Sequence, residues 1–158
     1  ITPIAALMRR VAQPGRVDWI ALRPARRVPV QTVTCVTVTE AGLDGDRARA
    51  GKRAVTLLQA EHLPVIAALA GLACVDAAML RRNLLISRLN LAAMRGRRIG
   101  IGSAVFEVTG PCAPCSRMEA ALGPGGYSAM RHHGGWCARV VRPGTVAIGD
   151  VVQPDPDG

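Results

Sequence analysis

A β-rich α+β fold built around one core is predicted by three features of this chain. Seven short stretches rich in Val, Ile and Thr recur along it, most of them bounded by Gly, Pro or Asn. Few segments read as helical, and neither a linker nor an internal repeat divides the sequence. The composition is 49% hydrophobic but only 3% aromatic, so Val, Ile, Leu and Ala must fill the core. Trp19, Phe106, Tyr127 and Trp136 are the only large rings. At 158 residues, the chain falls within the range of one domain whose core needs no disulfide staples.

In chain order, the strand-like stretches are Val17–Arg23, Gln31–Thr39, Arg53–Leu58, Leu84–Leu89, Ala104–Thr109, Cys137–Arg142 and Thr145–Val152. Their brevity and spacing predict a barrel or folded sheet. Gln59–Leu69 and Asp76–Arg82 read as helices, the second with Asp76 as N-cap. Ile99-Gly100-Ile101-Gly102-Ser103 and Arg142-Pro143-Gly144-Thr145 read as tight connections, the latter as a hairpin. Ser116-Arg117-Met118-Glu119 has the form of a capping box, so a short helix is expected to continue to Leu122 and end at Gly123-Pro124. Residues 1–152 are expected to form the domain, with 153–158 a C-terminal tail.

The longest apolar run, Leu63–Val75, is interrupted by Pro64 and Gly71 and falls short of the roughly 20 residues a spanning helix requires. The first ten residues lack the layout of a secretory signal. Five cysteines, an odd number, argue for reduced thiols and a cytoplasmic location rather than a disulfide framework. Cys35 and Cys74 read as buried small hydrophobes. The formal charge of +9 favours an anionic partner. Interleaved aromatics and a recognition helix are both missing, which argues against nucleic acid.

Pro111-Cys112-Ala113-Pro114-Cys115 carries the chemistry. It leaves the end of a strand and places Cys115 just before a helix. There the peptide dipoles and unpaired N–H groups favour a thiolate. Thiolate is the state that binds a soft metal or accepts sulfur as a persulfide. The residues alone leave two other uses open. Cys112 and Cys115 have the local look of a redox pair. Alternatively Cys112, Cys115, one of His132 or His133, and Cys137 have the makings of a structural zinc site.

Four motifs occur in order: Gly42-Leu43-Asp44-Gly45-Asp46-Arg47, Arg81-Arg82-Asn83-Leu84, Pro111 to Met118, and Gly134-Gly135-Trp136-Cys137-Ala138-Arg139-Val140. With the ending Pro143–Asp150, they make the chain resemble the MOSC family, named for the C-terminal domain of molybdenum cofactor sulfurase. The best-matched region is 42–152. The resemblance implies a MOSC-type β-barrel with a few short helices. It also implies a cysteine that ligates molybdenum or carries sulfur, a role that falls residue by residue on Cys115. Cys112 is then a supporting or resolving thiol.

The molybdenum cofactor, a pterin bearing a dithiolene and a phosphate, is thereby the expected ligand. Guanidinium and amide groups suit its phosphate and ring edges. Arg81 and Asn83, in the family's Arg-x-Asn position, and Arg47 are the candidates to bind it. Asp46-Arg47 also reads as a surface ion pair, and Arg81-Arg82 as a solvated helix end. The segment from Ala48 to Lys52 is shorter than the His-containing loop of some relatives. Two roles follow from the resemblance: reduction of N-oxygenated compounds with electrons from another protein, or sulfur transfer between a cysteine desulfurase and a molybdoenzyme. No pyridoxal phosphate site of its own is expected.

Overall fold

The structure, a computed structural model, describes residues 1–156. Eleven strands occur in two sheets: β1 (Gly15–Leu22), β2 (Gln31–Val33), β3 (Cys35–Thr39), β4 (Gly42–Leu43), β5 (Val55–Gln59), β6 (Leu84–Ser87), β7 (Arg98–Ile101), β8 (Ala104–Pro111), β9 (Trp136–Arg142), β10 (Gly144–Ala147) and β11 (Val151–Pro154). The larger sheet runs β11-β7-β8-β9-β5-β6-β1-β2, and β11 also pairs with β1. That last pairing closes a seven-stranded barrel, leaving β2 outside the ring. A smaller sheet, β10-β3-β4, completes the β structure.

β5 and β6 are the parallel pair of the barrel. Parallel neighbours need a long crossover. Residues 60–83 supply it through α2 (His62–Ala70) and α3 (Ala77–Leu80). Asp76 caps α3 as expected, its Oδ1 accepting from Ala78 N at 3.1 Å. Gln59 belongs to β5 rather than to α2, and two residues, Ala60 and Glu61, turn the chain away from the sheet before the helix starts. Helices α1 (Ile4–Arg9), α4 (Ser116–Leu122) and α5 (Gly126–Met130) complete the elements used below. No helix among the described residues is long and apolar enough to cross a membrane.

Aliphatic side chains fill the barrel, and Phe106 is the single large ring fully buried among them. A second apolar cluster, including Leu58, Ile66, Leu80, Met118 and Met130, packs the helices against the outside of the barrel. Each fully buried Leu, Ile or Met contributes about 1.5–3 kcal/mol. All five cysteines are free, so this burial holds the fold without cross-links.

Several local expectations need correction. Gln31–Thr39 is not one strand: the chain bends at Thr34 and passes from the barrel sheet to the small sheet. Thr145–Val152 is likewise split, because Gly149 takes a left-handed turn (φ 94°) and Asp150 Oδ2 accepts from Ala147 N at 2.8 Å. Pro143-Gly144 is a crossover rather than a hairpin, since β10 pairs with β3 and not with β9. Ile99–Ile101 is part of a barrel strand. Gln153 and Pro154 belong to β11, paired with Gly100 and Ile99, so the tail starts later than expected; residues 157 and 158 lie outside the described residues.

Candidate functional site

The site begins with an irregularity between β8 and β9. Their register slips between Val108 and Gly110, leaving Thr109 as the extra residue of a bulge that re-aims the chain beyond it. The Thr109 hydroxyl donates to Lys52 O at 2.6 Å and lies 3.1 Å from Cys137 O, tying the 47–53 segment to the strand that carries Cys137. Past the bulge, Cys112 N donates to Gly135 O at 2.8 Å. Gly134 and Gly135 are required by packing. A Cβ at Gly134 would lie 2.7 Å from Cys112 O, and one at Gly135, where φ is 95°, would lie 2.2 Å from Leu57 O. Gly135→Ala is expected to destabilise the protein by about 1–3 kcal/mol from backbone strain alone, read as a lower denaturation midpoint in urea.

Cys112 is half-buried and lines a cavity of about 790 Å³. Arg23, Arg47, Arg49, Lys52 and Arg53 line the same space, as does Cys137. Hydrogen bonding to the Cys137 thiol lowers the Cys112 pKa to about 6, against the opposing effect of burial; Arg82, Arg23 and Arg53 lower it further. Cys137 is raised well above the usual thiol value by the same hydrogen bond and by burial. The two effects run in opposite directions and favour ionisation of Cys112 before Cys137.

Behind Cys112 stands Arg82, which is buried. Its Nε donates to Gly134 O at 2.8 Å, while its Nη2 is buried with no hydrogen-bond partner. An unpartnered buried guanidinium nitrogen is costly and suits an anion at the neighbouring sulfur. The expected solvated helix end at Arg81-Arg82 is therefore half wrong. A left-handed backbone at Arg81 (φ 54°) ends α3 and turns Arg82 inward.

Arg81 itself donates to the carbonyls of Val28 and Ala25 and so pins the loop between β1 and β2. Burial, then Arg47, Arg117 and Arg23, hold its pKa below the ordinary guanidinium value, with Asp46 opposing. Asn83 is fully buried, and its amide is used up within the protein. Its Oδ1 accepts from Thr56 N at 3.0 Å and Thr56 Oγ1 at 3.1 Å; its Nδ2 donates to Ala21 O at 3.1 Å and Asp46 Oδ1 at 3.0 Å. It supports the floor of the site and has no spare donor for a pterin.

Asp46 pairs with Arg23, not with Arg47. Arg23 Nη2 lies 3.0 Å from Asp46 Oδ2, and Arg23 N donates to Oδ1 at 2.7 Å. Burial works against ionisation of Asp46, but hydrogen bonds from Arg23 and from Ala48 N outweigh it and keep the carboxyl below its ordinary pKa. Arg47 is left to line the cavity. The short segment after it also lines the cavity, with Arg49, Lys52 and Arg53 on the wall. Arg23 escaped the sequence reading, while Arg82 was read only as part of a motif and a helix end, and Cys137 only as part of a motif and of a zinc site. The alternation of bases in Arg47-Ala48-Arg49-Ala50-Gly51-Lys52-Arg53 was the signal for the rest.

Cys115 is the exposed N-cap of α4, next to the helix as expected, and is not among the residues lining the Cys112 cavity. The capping box does not form. Ser116 is one position too late to cap, and Glu119 instead accepts from Gly125 N at 3.0 Å and Tyr127 N at 2.9 Å. Cys35 and Cys74 are exposed, not buried: β3 turns Val36 and Val38 inward and Cys35 outward. The two alternative thiol sites fare less well. The thiol partner of Cys112 is Cys137 rather than Cys115. No three His, Cys, Asp or Glu side chains among the described residues are grouped to hold a metal. His133 instead meets His62 edge-on, with ring centroids 5.1 Å apart.

The fold is shared with solved structures. YuaD protein from Bacillus subtilis superposes with a TM-score of 0.76 at 17% identity, covering 89% of this chain and 94% of that one. YiiM from Geobacillus stearothermophilus gives a TM-score of 0.73 at 19% identity over 92% and 77% of the two chains. YiiM from Escherichia coli gives 0.70 at 23% identity over 89% and 69%. No curated protein matches the sequence. The MOSC domain family matches residues 44–153, which span the basic cavity segment, the Arg82–Asn83 turn and both cysteines of the loop. By that match, and by the barrel that carries it, the chain belongs to the MOSC domain family.

Proposed function

We propose that the chain binds the molybdenum cofactor, or sulfur destined for it, in the arginine-lined cavity, and that the 112–115 loop supplies the sulfur ligand. The observation that carries this is the Cys112 side chain set among five basic side chains beside the unpartnered Nη2 of buried Arg82. The donor set fits the group. A phosphate-bearing, dithiolene-bearing pterin needs fixed positive charge and soft sulfur, and both are present. When bound, the cofactor supplies two-electron oxygen or sulfur transfer at molybdenum.

The protein's own parts divide as follows. Arg47, Arg49, Lys52 and Arg53 have no carboxylate partner among the described residues and receive the phosphate. Arg23, held by Asp46, is fixed at the cavity wall. Cys115, in the family's cysteine position, is the molybdenum ligand or persulfide acceptor. Its exposure at the head of α4 makes it reachable by a sulfur donor such as a cysteine desulfurase. Cys112 is the supporting thiolate. Electrons for any reduction of N-oxygenated compounds come from another protein.

Cys115→Ser and Cys112→Ser, purified from a host that makes the cofactor, test this division. Serine removes the soft sulfur while keeping a polar atom of similar size. Cys115→Ser is expected to lose at least nine-tenths of bound molybdenum and persulfide at unchanged melting temperature, and Cys112→Ser to keep most of it. The reverse pattern would move the ligand role to Cys112 while leaving the cavity assignment intact. Full retention in both variants would end the proposal.

A further inference from the structure

Cys112 has a second face. With Pro111 and Ala113, which also line the larger cavity, it lines a second cavity of about 340 Å³ whose walls include Tyr127 and Trp136 and whose arginines are Arg95 and Arg131. The chain has only four large rings, and two of them come together here. Tyr127 is 44% exposed, and Trp136, which packs against the barrel core, is only half-buried and keeps surface for the cavity. Pro111 and Pro114 stiffen one wall, and Gly134 and Gly135 bring the backbone close on another.

The charge is of one sign. Arg95 and Arg131 are exposed, and neither has a carboxylate partner among the described residues. His132, in the left-handed region at φ 70°, adds an imidazole to the lining. Rings offer a stacking surface to a planar ligand, and a guanidinium grips a carboxylate through two parallel hydrogen bonds. The volume is at the small end of ligand sites, large enough for a mononuclear aromatic acid and small for a nucleotide.

We infer that this second cavity binds a planar aromatic carboxylate, with its ring against Trp136 and Tyr127, its charge on Arg95 and Arg131, and one edge beside the Cys112 sulfur. The site is distinct from the arginine-lined cavity and does not depend on any cofactor in it. Cys112 stands in the wall between the two, so an aromatic acid here would be in reach of whatever the loop sulfur carries.

The test uses 4-nitrobenzoate, a quencher of indole emission, added to the purified, cofactor-free chain. Saturable quenching of Trp136 emission is expected, with Trp136→Phe abolishing the response and Trp19 remaining as an internal reference. Nitrobenzene, which has the ring without the carboxylate, should bind at least tenfold more weakly. Arg131→Gln and Arg95→Gln should each weaken 4-nitrobenzoate several-fold. At saturation the ligand should slow alkylation of Cys112 by iodoacetamide at least fivefold. No saturable quenching up to millimolar ligand, or equal binding of nitrobenzene, would overturn the inference. So would unprotected Cys112, or displacement by equimolar inorganic phosphate, which would place the anion in the larger cavity. The probe comparison needs no variant, so a misfolded Arg variant leaves the test decisive. Molybdenum content plays no part in it, so this inference and the cofactor proposal can fail separately.

Discussion

Replacing Asn83 with Ala is expected to lower the melting temperature by about 10 °C. Asn83 joins three elements at one buried point: β1 through Ala21 O, β5 through Thr56, and the 44–48 turn through Asp46. Truncation takes the Asn83 partner from Thr56 N–H, the Thr56 hydroxyl and Ala21 C=O in a site closed to water, and removes one donor from Asp46 Oδ1, which keeps Arg23 N. An unsatisfied buried group costs about 1–3 kcal/mol, more when it is charged. A total of about 3–5 kcal/mol follows, at roughly 2–4 °C per kcal/mol for a chain of this size.

Differential scanning calorimetry measures this directly, and a shift below about 3 °C would show that water replaces the amide. The same cluster sets an acid limit. Asp46 has a folded pKa below its ordinary value of 3.8. The stability it contributes is therefore full above that value and is lost as pH falls through the lower, folded one.

The second large effect is on Cys112 reactivity. Thiolate is the attacking form, so alkylation of Cys112 is expected to rise through pH 6 and level off, with its midpoint at the pKa of about 6. At pH 6 about half of Cys112 is thiolate, against about 0.3% for an ordinary thiol of pKa near 8.5. That is a ratio of roughly 160. A less basic thiolate is a poorer nucleophile, and a Brønsted slope of about 0.4–0.5 removes roughly tenfold of it. Cys112 should therefore react about tenfold faster than an ordinary cysteine at pH 6, an advantage that reverses in alkali.

Cys137→Ala removes the hydrogen bond that contributes most to the lowered value, so the midpoint should move upward; Arg82→Gln should move it the same way by less. Mass-spectrometric mapping of labelled peptides over pH 5–9 (about the range of cysteine titration) reads each thiol separately. A Cys112 profile that climbs only above pH 8 would remove the thiolate from the site.

Much of the barrel was legible because its strands are short, aliphatic and sharply bounded. The two segments between β5 and β6 were legible as helices, the second by its Asp76 cap, but not as the crossover of a parallel pair. What the pattern could not show was where a continuous β-propensity run changes sheets. Gln31–Thr39 and Thr145–Val152 each read as one strand, yet the bend at Thr34 and the Gly149 turn send their halves to different partners. Ile99-Gly100-Ile101 was hidden by its glycines, which mimic a turn locally while the strand is held by two neighbours.

Local order and spacing, which the chain carries without folding, were enough for the family, the barrel class, the cysteine loop at the end of a strand and the place of Cys115 at the head of a helix. Which groups meet was settled in three dimensions. Arg23 and Asp46, Asn83 and Thr56, and Cys112 and Cys137 are separated by 23 or more residues, and no local preference encodes their contact. Barrel closure decided it. Pairing β8 with β9 through a bulge put Cys112 against Cys137. The left-handed turn at Arg81 brought Arg82 behind that pair and Asn83 beneath the cavity. A hydrogen bond and buried positive charge then set the sulfur's ionisation, because both act over a few ångströms of space and not along the chain.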